Sequence, residues 1–464
     1  MRAELKLFIE IVEQLLEDEE KNPVSRPISP AALPEQLDLS LGGEPALAED
    51  FKHKLSQLVL HTPKTATRLF FNQLFGGRQP KAVLGDLLAV MLNNSMYTYK
   101  VAGPQVGVER EIIAQICRLV GYGAGSGGTL PTGGSMSNFM ALLMARDVAD
   151  INSKHRGITR PLVAYTSRES HYSIAKNASF AGLGREQVRY IQTNAAGEML
   201  PDKLEEEMAA DVQRGLIPFF VNATAGTTVL GAFDPLTEIG RICRKYQCWL
   251  HVDGAYCGGV IFSRKHRHLV RGAQEADSFS FNAHKMLGTP LVCSVLVVKD
   301  QTNLRTTFDN EADYLYQTAG DEYNLGKTSF QCGRRNDALK FWTLWKALGT
   351  KGLEEMVDHQ FYLANVARAY IKNNADYTLY SGDDSLSVCF NYKNFDAPAL
   401  CQALYDHAQT LVGYGTFRQQ EFIRLVTINT NNTEEEIYSF FKVIEQFAAS
   451  QENRLKKITL KKSA

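Results

Sequence analysis

Charge of one sign is what this sequence most plainly lacks. Its 464 residues hold 50 Lys+Arg against 51 Asp+Glu, a formal net charge of -1. A polyanion is held by a concentrated positive field, so no nucleic-acid partner is expected. A small anion is a different matter, because one helix end or one arginine suffices for it. Also missing is any apolar run approaching the roughly 18–20 residues of a membrane-crossing helix, and no membrane contact is expected. The cysteines Cys117, Cys243, Cys248, Cys257, Cys293, Cys332, Cys389 and Cys401 are scattered, with no pair at zinc-knuckle spacing. Neither a metal site nor a disulfide framework is therefore expected. The early acidic run Glu17-Asp18-Glu19-Glu20 is unlike a secretory or transit segment. Reduced thiols and this N-terminus together imply a cytoplasmic protein.

What is present is an ordinary globular balance, 44% apolar and 22% charged residues, on a chain long enough for a large core. Leu5, Phe8, Ile9, Val12, Leu15 and Leu16 follow helical spacing and predict a helix over 3–18. Prolines 23, 27, 30 and 34 then make an extended connector, so residues 1–50 read as a helix and a proline-rich arm. From 51 to 345, short apolar stretches at 161–166, 217–223, 248–252 and 292–298 alternate with helical stretches near 136–149, 171–181, 202–214 and 235–246. Asp234-Pro235 reads as the capped start of the last of these. That alternation predicts a large α/β domain whose mostly parallel sheet is covered on both faces. Its ligand crevice is expected beyond the carboxyl ends of the strands. Residues 346–464 read as a smaller α+β domain ending in a frayed, lysine-rich tail from Arg454 to Ala464, with helices near 337–349 and 352–374.

Polar motifs fall directly after the strands. Asn282-Ala-His284-Lys285 places an amine beside a glycine-containing loop, and Trp249-Leu-His-Val-Asp253 ends an apolar strand in a carboxylate. Each is weak alone, since surface lysines and strand-end acids are common. Thr132-Gly133-Gly134-Ser135 runs into a helix and forms an anion cradle of backbone amides and a hydroxyl. An amine for an aldehyde, a carboxylate for a pyridinium nitrogen and a phosphate cradle together fit one cofactor, pyridoxal 5'-phosphate.

Residues from about 60 to 450 resemble the group II pyridoxal-phosphate decarboxylases, in the branch acting on glutamate, cysteine sulfinate and aspartate. The motifs are Phe70-Phe-Asn-Gln73, Tyr97-Thr-Tyr99, Gly133-Gly-Ser-Met-Ser-Asn138, Ser170-His171-Tyr172-Ser173, Ala225-Gly-Thr227-Thr228, His251-Val-Asp-Gly-Ala-Tyr256, Asn282-Ala-His-Lys285 and Gln331-Cys-Gly-Arg334. The resemblance implies an aspartate-aminotransferase-like (fold type I) α/β architecture, with a mostly parallel seven-stranded sheet. It implies Lys285 as the Schiff-base lysine and Asp253 as the ring-nitrogen partner, with Ala255 and His171 on the two ring faces. Gly134 and Ser135 would hold the phosphate, helped by Asn282 and His284, and Thr227 would contact a ring substituent. One departure stands at Gly254-Ala255-Tyr256-Cys257, where the family usually has alanine, alanine, tryptophan and glycine.

The same resemblance assigns Arg424 to a substrate carboxylate, with Gln73 lining that pocket. Phe75 and Ser95 match the cysteine-sulfinate rather than the glutamate pattern, and an aromatic ring at 75 would shorten the pocket. The expected reaction is α-decarboxylation of a short acidic L-amino acid, aspartate or cysteine sulfinate, giving β-alanine or hypotaurine. Glutamate decarboxylation to GABA, an aromatic-amino-acid decarboxylase and a non-catalytic scaffold are the alternatives. Tyr323, in a polar stretch where the family keeps a mobile loop, is the implied acid for Cα. Family members share active sites across a subunit interface, which implies a homodimer.

Overall fold

The structure, a computed structural model, describes residues 1–309, 316 and 321–450. The tail from Arg454 lies outside the described residues. Seven described strands form one sheet: β1 (Gly127–Thr129), β2 (Leu162–Ser167), β3 (Val188–Ile191), β4 (Ile217–Thr224), β5 (Trp249–Gly254), β6 (Ser278–Asn282) and β7 (Ser294–Val298), in the order β1-β7-β6-β5-β4-β2-β3. From β3 through β6 neighbouring strands run parallel, while β7 is antiparallel to both β6 and β1. The apolar stretches become strands because they are buried on both faces: every residue of β2, β5, β6 and β7 is buried. Phe220, Phe279 and Phe281 are wholly enclosed there, and each contributes about 1.5–3 kcal/mol through burial. Parallel register sets Thr224 beside Asp253 and Asp253 beside Ser280, so the polar residues at three strand ends share one level.

The helical stretches form close to where periodicity places them: Gly134–Ala149, Ser173–Phe180, Pro201–Gln213 and Leu236–Tyr246. Asp234 does not cap the last of these. Pro235 holds the cap position without a side-chain bond, and the buried Asp234 carboxylate instead accepts the N–H groups of Met199 and Thr224, both at 2.7 Å. With no cation beside it, burial pushes its carboxyl up to about 7. The helices expected at 337–349 and 352–374 both form within Ala338–Lys372, parted at Gly349, whose φ of 66° only glycine adopts readily.

A second sheet has four strands, β8 (Tyr377–Leu379), β9 (Ser387–Tyr392), β10 (Gly413–Phe417) and β11 (Gln420–Val426), in the order β10-β11-β9-β8. Packing divides the chain elsewhere than at residues 50 and 345. One unit is Arg78–Asn365 with Ser381–Ser387, and the other is Met1–Gly77, Val366–Tyr380 and the chain from Val388. Residues 51–77 thus leave the large unit, and the N-terminal arm is not a separate body. Main-chain bonding is the reason: Phe71 N–H donates to the Leu411 carbonyl at 2.8 Å, and Val426 N–H to the Phe71 carbonyl at 3.3 Å.

Within the large unit, Arg334 of the Gln-Cys-Gly-Arg motif is 3% exposed and meets Glu109, 1% exposed, at 2.6 Å. Two desolvated charges in contact stabilise only while both are present. Arg334→Met should cost about 3–5 kcal/mol in urea unfolding, because Glu109 is left buried without its cation. Pairing it with Glu109→Leu should restore most of that. A loss below about 1 kcal/mol for the single variant would contradict the assignment.

Candidate functional site

The carboxyl ends of the parallel strands open into a cavity of about 200 Å³ lined by Gly134, Ser135, Asn138, His171, Thr224, Gly226, Thr228, Asp253, Ala255, Tyr256, Asn282, His284 and Lys285. Each strand delivers its residue by ending there: β5 gives Asp253, β4 leads into Gly226, and β6 leads through Asn282 into Lys285. Lys285 is half-buried in the short helix Ala283–Met286. A larger groove of about 920 Å³ lies elsewhere on the same unit, but it contains none of these residues. The chemistry is gathered in the smaller one.

Asp253 is 3% exposed. Its Oδ1 accepts the Ala255 N–H at 3.0 Å and its Oδ2 accepts Asn138 Nδ2 at 2.7 Å. Asn138 Nδ2 also donates to Ser173 Oγ at 3.1 Å, and Ser173 holds the His171 ring, with Oγ 2.8 Å and the backbone N–H 3.2 Å from Nδ1. A backbone N–H can only donate, so His171 Nδ1 accepts and the imidazole proton sits on Nε2. Burial, reinforced by Lys285 and opposed by Asp253, lowers the His171 pKa. His284 Nδ1 meets both the N–H of Cys293 at 2.9 Å and its carbonyl at 3.0 Å, and burial and then Lys285 push the His284 pKa down to about 4. Both imidazoles are therefore neutral at neutral pH.

The helix Gly134–Ala149 starts with Gly133 at φ 101° and has no side-chain cap, so the amides of Gly134 and Ser135 are presented to the cavity for an anion. A Cβ at 134 would sit 3.0 Å from Ala255 Cβ and 3.1 Å from Asn282 Nδ2. The glycine keeps this approach open. Amine, carboxylate, neutral stacking imidazole and anion cradle thus suit an aromatic aldehyde phosphate with a basic ring nitrogen. The family departure at 254–257 is also explained locally. A Cβ on Gly254 would lie 2.7 Å from the Ser280 carbonyl, Tyr256 OH bonds Ser387 Oγ at 3.0 Å, and Cys257 fills the space above Gly226.

Among the expected residues, Lys285, Asp253, Ala255, His171, Gly134, Ser135, Asn282 and His284 come together. Thr227 does not line the cavity: it is 1% exposed and its hydroxyl accepts Ala232 N–H at 3.1 Å, closing its own loop, while Gly226 and Thr228 line the cavity on either side of it. Ser95 is also outside, its hydroxyl 3.4 Å from the Cys332 carbonyl and accepting Arg334 N–H at 3.3 Å. Tyr323 is in the larger groove, 39% exposed, its ring edge-on to Tyr99 at 5.6 Å and under the Arg110 guanidinium at 4.2 Å. Gln73, Phe75 and Arg424 belong to the other unit. There Arg424 is 8% exposed on β11 opposite Gly413, whose missing side chain makes room for Asn72, and Phe75 packs edge-on to Phe70 at 5.6 Å. Asn138 and Ser173 also act here, by bonding Asp253 and His171, roles that their motifs do not disclose. Their polar type beside glycines and a histidine was the available signal.

On this fold, a lysine, a strand-end aspartate and a helix N-terminus around one cavity define a pyridoxal-phosphate enzyme. Comparison with known proteins agrees. Residues 27–393 match the family model described as pyridoxal-dependent decarboxylase conserved domain, and the chain belongs to that family. It is 40% identical over 368 residues to rat cysteine sulfinic acid decarboxylase, covering 78% of this chain and 74% of the relative. It is 36% identical over 438 residues to human acidic amino acid decarboxylase GADL1, covering 88% and 83%. The crystal structure of mouse CSAD superposes with a TM-score of 0.91 at 32% identity, covering 96% of this chain and 98% of that one. Among the described residues no helix is long and apolar enough to cross a membrane.

Proposed function

We propose that this protein removes the α-carboxylate of a short acidic L-amino acid, with aspartate and cysteine sulfinate preferred over glutamate. The observation that carries the reading is the meeting of Lys285, Asp253, His171 and the Gly134–Ser135 amides in one cavity. When bound, pyridoxal phosphate supplies a carbonyl for the substrate amine and a ring that takes up the electron pair released as CO2 leaves. Lys285 provides the amine that anchors the cofactor and yields it to substrate. Asp253 would accept a hydrogen bond from the ring N–H and so keep the ring protonated, Gly134 and Ser135 would hold the phosphate with Asn282 and His284 as further donors, and His171 and Ala255 would flank the ring.

Arg424 supports an acidic side chain in the substrate, because its planar fork matches a carboxylate or sulfinate in two-point fashion. Gln73 lies in the segment that packs against the strand pair carrying Arg424. By resemblance, Phe75 and Ser95 match the cysteine-sulfinate rather than the glutamate pattern, and the names of the relatives are consistent with that preference. One methylene in a pocket is worth about 1–3 kcal/mol, or 10–200-fold. Release of CO2 from aspartate, cysteine sulfinate and glutamate, with Lys285→Ala as the blank, should therefore favour the first two by at least about tenfold. Preference for glutamate, or release by the blank, would contradict it.

We further propose a cytoplasmic homodimer in which Tyr323 of each subunit serves the other's site as the acid that protonates Cα. Two observations support it. Tyr323 does not line the cavity of its own chain. The helix Pro80–Leu92 also leaves Leu84, Leu88, Val90, Met91 and Leu92 about half exposed, an apolar surface typical of an interface. In a mixed dimer of Lys285→Ala and Tyr323→Phe chains, the subunit that keeps Lys285 would receive Tyr323 from its partner. Mixing two inactive variants should then restore about half the activity of one wild-type dimer in each heterodimer, since one of its two sites is whole. No recovery, with heterodimers verified by mass spectrometry, would place Tyr323 in its own subunit's site or outside the reaction.

A further inference from the structure

The two ends of one buried hydrogen-bond chain fix its direction. Asp253 Oδ2 is a carboxylate oxygen and can only accept, so the atom of Asn138 that faces it at 2.7 Å must be the donating Nδ2. Asn138 Oδ1 then faces His251 Nε2 at 3.0 Å, which must carry the imidazole proton. His251 Nδ1 is left as an acceptor for the Ser278 hydroxyl at 2.8 Å. Ser278 Oγ in turn accepts the indole Nε1–H of Trp249 at 2.9 Å, and an indole can only donate. Every link therefore runs one way, from Trp249 through Ser278, His251 and Asn138 to Asp253.

All five residues are buried, with exposures of 7%, 0%, 0%, 1% and 3% in that order. Rotating any one group leaves a buried donor facing a donor or an acceptor facing an acceptor, at about 1–3 kcal/mol for each orphaned group. The indole and the Ser278 hydroxyl come from adjacent parallel strands, and Asn138 from the second turn of the helix that also carries the Gly134 cradle. His251 is held face-on to Phe220, with ring centres 6.0 Å apart, which keeps the imidazole plane in line with the chain. Burial also pushes its pKa down to about 4, so the single-proton form the chain requires is the one present at neutral pH.

We propose that His251 and Asn138 are positioning residues that lock the Asp253 carboxylate in the orientation from which it grips the ring nitrogen of the cofactor. The proposal rests on the reading of the cavity as a pyridoxal-phosphate site. It makes the buried face of the sheet part of the reaction: Asn138 holds Asp253 with one N–H and, through Ser173, steadies the His171 ring with the other. Groups that orient a contacting residue commonly matter by 10–100-fold when removed.

The direct measurement is the 15N chemical shift of holoenzyme reconstituted with pyridoxal phosphate labelled at the ring nitrogen. Wild type should show a protonated ring nitrogen. His251→Leu and Asn138→Leu should move the signal towards neutral pyridine and lower kcat on the order of 10- to 100-fold. His251→Gln, whose side-chain amide can still donate to Asn138 Oδ1, should restore most of the shift. A packing role alone would lower the thermal unfolding temperature and leave the ring-nitrogen signal where it is in wild type. Should a leucine variant fail to fold, Ser278→Ala removes the links to Trp249 and His251 with little change in volume and should give a smaller shift in the same direction. Unchanged signals in folded variants that bind the cofactor overturn the positioning role and leave the functional reading standing. A wild-type protein that takes up no pyridoxal phosphate overturns both.

Discussion

Burying the Asp253 carboxylate costs free energy that only donors at both of its oxygens can offset. Much of the large unit is arranged around that requirement. Parallel register brings Thr224, Asp253 and Ser280 to one level. The turn after β5 folds back so that Ala255 N–H reaches one oxygen, and the helix Gly134–Ala149 supplies Asn138 to the other. The same helix begins with Gly134 and Ser135 at the cavity, so one element sets those amides and the Asp253 carboxylate relative to each other. Glycines at 133, 134, 226 and 254 permit this closeness because a side chain at 134, 226 or 254 would collide with its neighbours, and 133 needs a left-handed φ.

Electrostatically the site is arranged so that charge resides on few groups. His171 and His284 are held neutral by burial beside Lys285, and His171 donates only through Nε2 because a backbone N–H occupies its Nδ1. Neutral imidazoles can stack or hydrogen-bond without competing with the amine for the phosphate or with Asp253 for the ring. The chain's near-zero net charge is compatible with this, since backbone amides at a helix end suffice for a small anion without a basic surface.

The core of the sheet and most of the cavity were legible in the sequence, for a physical reason. Strands buried on both faces must be continuously apolar, and the residues that follow them must be polar to serve a crevice, so Asp253, Asn282 and Lys285 announce themselves by position. The short edge strand β3, with Val188 and Ile191 buried and Arg189 and Tyr190 less so, has too weak a pattern to be read from sequence. The resemblance points to Thr227, but adjacent threonines carry the same chemistry and only the loop's own bonding decides which one faces inward. Asp234 looked like a helix cap for a similar reason: its true partners, Met199 and Thr224, depend on packing rather than on sequence neighbours. His251, Ser278 and Asn138 could not be joined in advance, because their contact depends on strand register and helix placement across more than a hundred residues. The boundary near 77 was hidden too, since Phe71 is tied by main-chain bonds to Leu411 and Val426, which no side-chain pattern reveals.

The account depends on Lys285 being the amine that holds the cofactor. Borohydride treatment of the holoenzyme fixes a pyridoxyl group onto whichever lysine carries it, and peptide mass spectrometry then locates the group. The account predicts one pyridoxyl group per chain, on the peptide containing Asn282-Ala-His-Lys285. Label on another lysine, such as the buried Lys340, or no label on a protein that has turned over substrate, would contradict it.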